Sequence, residues 1–167
     1  IIFFLSICST RLVLGMNMQD LLKFKVPNFF RGRNIIIVQL WYFVHSTIFA
    51  LSPRFLNNWR CFLLRLFGAK IGKNVIIRPS VQIEYPWKIT LGCNSWIGND
   101  VNLYSLGKIH IGNNVVISQK SYLCTGTHNY KSKEFNIYSK PIIICDGSWI
   151  ATDVFIAPGV TVSRNVV

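Results

Sequence analysis

The chain holds 167 residues, which suits one domain with an N-terminal appendage, and 51% of them are hydrophobic, enough for a sizeable core. Its net charge of +12 is uneven: residues 1–70 carry nine Lys/Arg against Asp20 (+8), and residues 71–167 carry nine against five acids (+4). A basic excess beside apolar segments points to an anionic membrane surface and away from nucleic acid, and six acids in all supply carboxylate chemistry poorly.

Residues 1–15 are apolar, with Arg11 their single charge. They are read as lying upstream of a true start at Met16 or Met18, the other readings being a cut signal sequence or the end of a membrane helix. From Ile35 to Leu51 the chain contains no Asp, Glu, Lys or Arg, but Gln39, His45, Ser46 and Thr47 interrupt it. Three readings stand for this run: a helix packed on the main domain, an anchor lying in the membrane plane, and, disfavoured by its polar residues, a single span. His45 inside it is expected to be packed and hydrogen-bonded. Trp59 to Phe67 reads as a short basic amphipathic helix with Arg60 and Arg65, stopped at Gly68. Residues 1–70 thus form an apolar, basic, helical region.

Residues 71–167 are periodic. Ile71, Ile77, Ile83, Leu91, Ile97, Leu103, Ile111, Ile117, Leu123, Ile144, Ile150, Ile156 and Val162 recur at six-residue spacing within their sets. The position four residues after each anchor is small or β-branched except at Trp87. Sets beginning at Ile71, Leu91 and Ile111 lie 20 residues apart, three hexads plus a pair, Ile89-Thr90 and then Ile109-His110. Three hexads make one coil of a three-sided parallel β-helix, in which stacking buries what no hexad buries alone. The third coil reaches the corner of the inserted pairs at His128. There the insertion lengthens into a loop, Asn129 to about Ile143, with Lys131, Lys133 and Lys140, and the repeat resumes at Ile144. These lysines suit a phosphate or simply a solvated loop. The sequence ends just inside a hexad, so a further coil is expected beyond Val167.

The five cysteines are widely spaced, with no CxxC, and are read as free thiols of a reducing compartment. His110 and His128, 18 residues apart, could stack at one corner. Two histidines fall short of the three nitrogen or sulfur ligands of a zinc site, so no metal is expected.

These segments resemble the hexapeptide-repeat acyltransferases, and within them the colanic-acid and other exopolysaccharide O-acetyltransferases. The resemblance rests on Phe30-Arg-Gly-Arg, Leu51-Ser-Pro, Trp59 to Gly72, Tyr85-Pro-Trp-Lys, Ser118 to His128 and Ala157-Pro-Gly-Val-Thr161. It implies a mainly β, left-handed β-helix assembled as a homotrimer, with acetyl-CoA along the groove between two subunits and a saccharide as acceptor. Residues 1–70 would hold the enzyme in the cytoplasm, at the inner face of the membrane.

It also makes His128 the catalytic base, taking the acceptor hydroxyl proton near neutral pH. Trp149, Ala151 and Thr152 would wall the coenzyme groove, although Trp149, like Trp96, also suits packing at a subunit interface. Asn99 and Asn102 would meet the acceptor, or stand as solvated turn residues. Relatives often carry Asp after the histidine where this chain has Asn129, so the imidazole would be oriented by a backbone carbonyl or another residue. An acyl-enzyme on Cys124 is the less favoured route. Acetyl transfer to another small acceptor and a non-catalytic scaffold are the rival functions.

Overall fold

A computed structural model describes residues 19–167. The reading of residues 1–15, and Cys8, lie outside the described residues.

The hexads become strands in chain order. β1 (Lys70–Ile71), β2 (Ile76–Ile77) and β3 (Gln82–Ile83) form the first coil. β4 (Ile89–Leu91), β5 (Trp96–Ile97) and β6 (Asn102–Tyr104) form the second, and β7 (Ile109–Ile111), β8 (Val116–Ile117) and β9 (Tyr122–Cys124) the third. After β10 (Gly126–His128) and β11 (Ile137–Ser139), the fourth coil is β12 (Ile142–Ile144), β13 (Trp149–Ile150) and β14 (Phe155–Ile156), and β15 (Thr161–Val162) follows.

Corresponding strands pair in parallel and build three sheets: β1-β4-β7-β12-β15, β2-β5-β8-β13 and β3-β6-β9-β14. The register stacks the anchors in columns. Ile71 pairs with Leu91, Leu91 with Ile111, Ile111 with Ile144 and Ile144 with Val162. Ile77-Ile97-Ile117-Ile150 and Ile83-Leu103-Leu123-Ile156 form the other two. All anchors except the terminal Ile71 and Val162 are buried. Each buried aliphatic contributes on the order of 1.5–3 kcal/mol, and no coil keeps that burial without its neighbours.

The corners have their own chemistry. The residue three after the anchor takes positive φ at Asn74, Asn94, Asp100, Asn114, Lys120, Asp153 and Asn165, and also at Gly147 and Gly159. Gly, without a Cβ, and Asn and Asp, with short side chains that bond locally, tolerate this left-handed turn, whereas Lys does not favour it. Close stacking explains Gly92: a Cβ there would overlap the Gly112 carbonyl group of the next coil.

The inserted pairs are not corner bulges. Ile89-Thr90 and Ile109-His110 lengthen β4 and β7, and Ile142-Ile143 of β12 lie in register with Ile109-His110. The coil therefore resumes at Ile142, two residues before the expected Ile144, because Ile142 fills the same buried column as Ile89 and Ile109.

The first coil has an open edge, and helices cover it. α1 (Ile35–Val44) starts with the Asn34 side chain accepting from the Ile36 amide and runs on as a wider turn, His45–Phe49. α2 (Asn57–Leu66) ends before Gly68 at φ +95°. Trp41 Nε1 donates to the Ile83 carbonyl and the His45 ring bonds the Val81 carbonyl. Asn57 donates to the Val75 carbonyl and accepts from the Ile77 amide, while Arg65 donates to the Ile71 and Gly72 carbonyls. Side chains thus satisfy edge groups that no strand pairs.

Arg60 departs from the sequence reading. Its guanidinium is fully buried, not on a basic outer face, and donates to the carbonyls of Ile77, Pro53 and Arg54 and to the Ser52 hydroxyl. Burial lowers its pKa from the ordinary value. No described helix is long and apolar enough to cross a membrane.

Candidate active site

Where the third coil should turn into the fourth, the chain leaves the prism as an antiparallel hairpin. Gly126, Thr127 and His128 of β10 pair with Ser139, Tyr138 and Ile137 of β11. Its root is locked by Thr125, whose hydroxyl donates to the Tyr104 carbonyl and accepts from the Gly107 amide. Gly126 passes so close to Leu106 and Tyr104 that a side chain there would collide with Leu106.

His128 is half-buried on this arm. Its Nδ1 lies 2.8 Å from the Phe135 carbonyl oxygen. A carbonyl only accepts, so Nδ1 carries a proton, and in the neutral imidazole the lone pair lies on Nε2. The imidazole stacks on the Phe135 ring, centroids 4.2 Å apart and planes 8° apart, and Phe24 approaches at 5.7 Å. Asn129 does not orient the ring; its Oδ1 accepts from the Lys131 amide. The Asp20 amide donates to the Lys133 carbonyl, so the N-terminal segment leans on the same loop.

His110 lies elsewhere. It sits in β7 between Thr90 and Ile143 and faces solvent, while His128 has left the coil in the hairpin, so the two do not stack as their spacing suggested. Among the described residues no three His, Cys, Asp or Glu side chains gather as a metal set. Cys61, Cys93, Cys124 and Cys145 are free thiols, and the Cys124 thiol donates to the Gly126 carbonyl at 3.2 Å.

Trp149 stands on the outer face of the second sheet, where Val116 separates it from Trp96. Both indoles are about half exposed, and Trp149 Nε1 donates to the Ser118 hydroxyl. Ala151 and Thr152 follow at the adjoining corner, where Ser121 Oγ donates to the Ala151 carbonyl. Asn99 belongs to that same corner, stacked below Lys120 through its carbonyl. It lines a cavity of about 210 Å³ with Arg78, Trp96, Ser118 and Gln119.

Asn102 stands apart from Asn99, on the third sheet between Gln82 and Tyr122. An aromatic row crosses that sheet: Tyr104 stacks on Tyr122 and Tyr122 on Phe155. Burial, then the neighbouring Cys124, pushes the Tyr122 phenol up to about 12, and burial raises Tyr104 as well. Tyr42 donates to the Glu84 carboxylate beside this row. Sequence reasoning missed Phe24, Tyr104, Tyr122 and Phe135, since single aromatics carry no spacing signal outside the hexad anchors.

The fold is similar to that of a hexapeptide-repeat-containing acetyltransferase from Vibrio cholerae, VCA0836, solved in complex with acetyl coenzyme A: TM-score 0.70, 23% identity, 79% of this chain and 73% of that one. No family model matches the chain. The stacked hexapeptide coils are the fold shared with this hexapeptide-repeat-containing acetyltransferase. The chain is 63% identical over 150 residues to the colanic acid biosynthesis acetyltransferase WcaF of Escherichia coli (strain K12), across 90% of this chain and 82% of that protein. It is 32% identical over 108 residues to the galactoside O-acetyltransferase of the same organism, across 63% of this chain and 53% of the relative. The chain belongs to the colanic acid biosynthesis acetyltransferase family and is an acetyltransferase.

Proposed function

We propose that this acetyltransferase moves the acetyl group of acetyl-CoA onto a sugar hydroxyl of an exopolysaccharide or its precursor, with His128 as general base. The observation that carries the reading is the Phe135 carbonyl on Nδ1, which selects the tautomer of the neutral ring whose lone pair lies on Nε2. Nε2 takes the acceptor hydroxyl proton as that oxygen bonds to the thioester carbonyl carbon. The carbon–sulfur bond then breaks, and the imidazolium returns its proton to the leaving thiolate. Direct transfer needs no acyl-enzyme, and the Cys124 thiol is turned toward the Gly126 carbonyl.

Trp149, Ala151 and Thr152 wall the coenzyme groove in this reading. Their fit rests on an exposed indole face fixed by Ser118, beside a corner of small side chains. These residues and His128 occupy different faces of one chain, which favours a homotrimer whose groove pairs the arm of one subunit with the second sheet of the next. The left-handed sense of the coil comes with the same family resemblance. Asn102, beside the Tyr104–Tyr122 stack, suits a saccharide acceptor, since aromatic faces pack on the apolar faces of sugar rings while amides bond hydroxyls. Asn99 suits the acceptor through the neighbouring subunit. Residues 1–70 act as an accessory region and residues 71–167 as the catalytic β-helix, at the inner face of the cytoplasmic membrane.

The test supplies acetyl-CoA and a panel of glycans to the purified protein and follows thiol release. Acceptor-dependent release that His128→Ala abolishes supports the reading. Release unchanged by the substitution removes His128 from the chemistry, and absence of release with every glycan in the panel favours a different acceptor or a scaffold.

A further inference from the structure

The helical cap has two faces, and the β-helix uses only one. Val38, Trp41, Val44, His45 and Phe49 from α1 and its wider turn, and Arg60, Cys61, Leu63 and Leu64 from α2, are buried. The opposite face is apolar and open. Leu40 and Phe43 follow Ile36 at helical spacing on α1, and Phe62 and Leu66 follow Trp59 on α2. Phe43 is 62% exposed, Phe62 52% and Leu66 67%, and the connecting turn adds Leu51 at 81% and Phe55 at 83%. Gln39, Ser46 and Asn58 are the uncharged polar residues among them.

Two further observations say what this face meets. From Arg33 to Lys70 the chain contains Arg33, Arg54, Arg60, Arg65 and Lys70 and no Asp or Glu; all but Arg60 are exposed. A cation-rimmed apolar face without a single acid complements an anionic, apolar-cored surface. The orientation fits as well. The inner face of the cap covers the open edge of the first coil, so the outer face is the end of the prism, with nothing of this chain's described residues beyond it.

We infer that the exposed face of α1, the Leu51–Phe55 turn and α2 is a docking surface for an anionic lipid bilayer, on which the β-helix stands with its first coil lowest. Phe43, Leu51, Phe55 and Phe62 enter the headgroup–acyl boundary, and Arg33 and Arg54 meet lipid phosphates. His128 leaves the third coil, two strand spacings or about 10 Å above the first. An acceptor held by a lipid therefore presents its sugar to the arm from below. Where the chain is the trimer proposed above, a closed ring tilts all three caps equally to its axis, so they meet one plane together and bind with avidity.

The test floats the purified protein with vesicles of phosphatidylglycerol and phosphatidylcholine, 1:1, and with phosphatidylcholine alone, at low and high salt. The variant Phe43→Ser/Phe55→Ser/Phe62→Ser changes only outward side chains. The expected result is flotation with the anionic vesicles, weakened by salt, and reduced at least tenfold in the variant, with the far-ultraviolet dichroism and thermal midpoint kept. Flotation that is absent, unchanged by the three substitutions, or equal on uncharged vesicles overturns the proposal. So does light scattering that shows caps of two assemblies joined and the variant separating them, since a second copy is then the occupant. Thiol release with a water-soluble acceptor is read in parallel: protein that floats but transfers nothing fails the transferase reading alone, and protein that transfers but does not float fails this one alone.

Discussion

The imidazole of His128 and the backbone of Phe135 meet across the hairpin, Nδ1 to carbonyl oxygen at 2.8 Å. This one hydrogen bond sets the tautomer and, with the ring stack, the plane of the imidazole. General-base catalysis of this kind is worth on the order of 10²–10⁴ in rate. His128→Ala is expected to lower kcat by about that factor. KM for acetyl-CoA should change little, because the coenzyme groove is assigned to other residues. Circular dichroism checks that the hairpin substitution leaves the coil intact.

Phe135 holds φ at +49°, a conformation that a bulky side chain disfavours. Such backbone persists when its surroundings hold it, here the Asn129–Asn136 backbone bond and the stack on His128. Phe135→Gly accepts the backbone but removes the ring. The expected outcome is a fall in kcat of roughly tenfold, from a looser imidazole, with thermal stability kept or slightly raised. Equal kcat in the variant would mean that the carbonyl alone positions the base. The pH profile of kcat distinguishes a mispositioned base from a local fold defect.

The coil was legible because its signal repeats: one aliphatic every sixth residue sets the strand, the inward face and the register at once. His128 was legible as a position because the spacing broke there. The turn signal was also present, in the Asn, Asp and Gly three residues after the anchors. What the sequence hid was pairing between side chains and particular backbone groups. Arg60 reads as surface charge in α2 until Ile77, Ser52, Pro53 and Arg54 supply its acceptors. A backbone carbonyl was among the partners expected for His128, but which one was hidden, because a carbonyl has no residue type to betray it.

Arg60 is expected to be the most sensitive position of the cap. Arg60→Met keeps length and apolar packing but leaves the buried Ile77 carbonyl and the part-buried Pro53 and Arg54 carbonyls without its donors. An orphaned buried group costs about 1–3 kcal/mol and part-buried ones less, so a destabilisation of roughly 2–3 kcal/mol is expected in denaturant unfolding. Arg60→Lys recovers only part of it, because one ammonium cannot span acceptors that the guanidinium fork reaches together.

Lys120 breaks the corner rule, with φ +62° where neighbouring corners use Asn, Asp or Gly. Its side chain is exposed, and its amide donates to the Asn99 carbonyl whatever the side chain. Lys120→Asn therefore removes a conformational cost and keeps that hydrogen bond. A gain of about 0.5–1 kcal/mol is expected, seen as a raised thermal midpoint. No gain would show that the lysine side chain makes a compensating interaction in the assembled protein.

His45 gives the stability a sign with pH. It is buried against Trp41 and Phe49, and its Nε2 bonds the Val81 carbonyl. Burial holds its pKa below the ordinary 6.5, against the smaller upward pulls of the Val81 carbonyl and the Glu84 charge. The unfolded chain then takes up this proton at a higher pH than the folded one. Below about 6.5 the unfolded state binds more protons, so stability falls as pH falls toward the folded pKa and is fully present above 6.5. Gln in its place keeps a donor for the Val81 carbonyl and does not titrate. His45→Gln should therefore flatten the stability profile below pH 6.5 relative to the parent while leaving the difference between them constant at higher pH. Urea unfolding at stepped pH reads that difference directly, and parallel profiles across the whole range would remove His45 from the acid response.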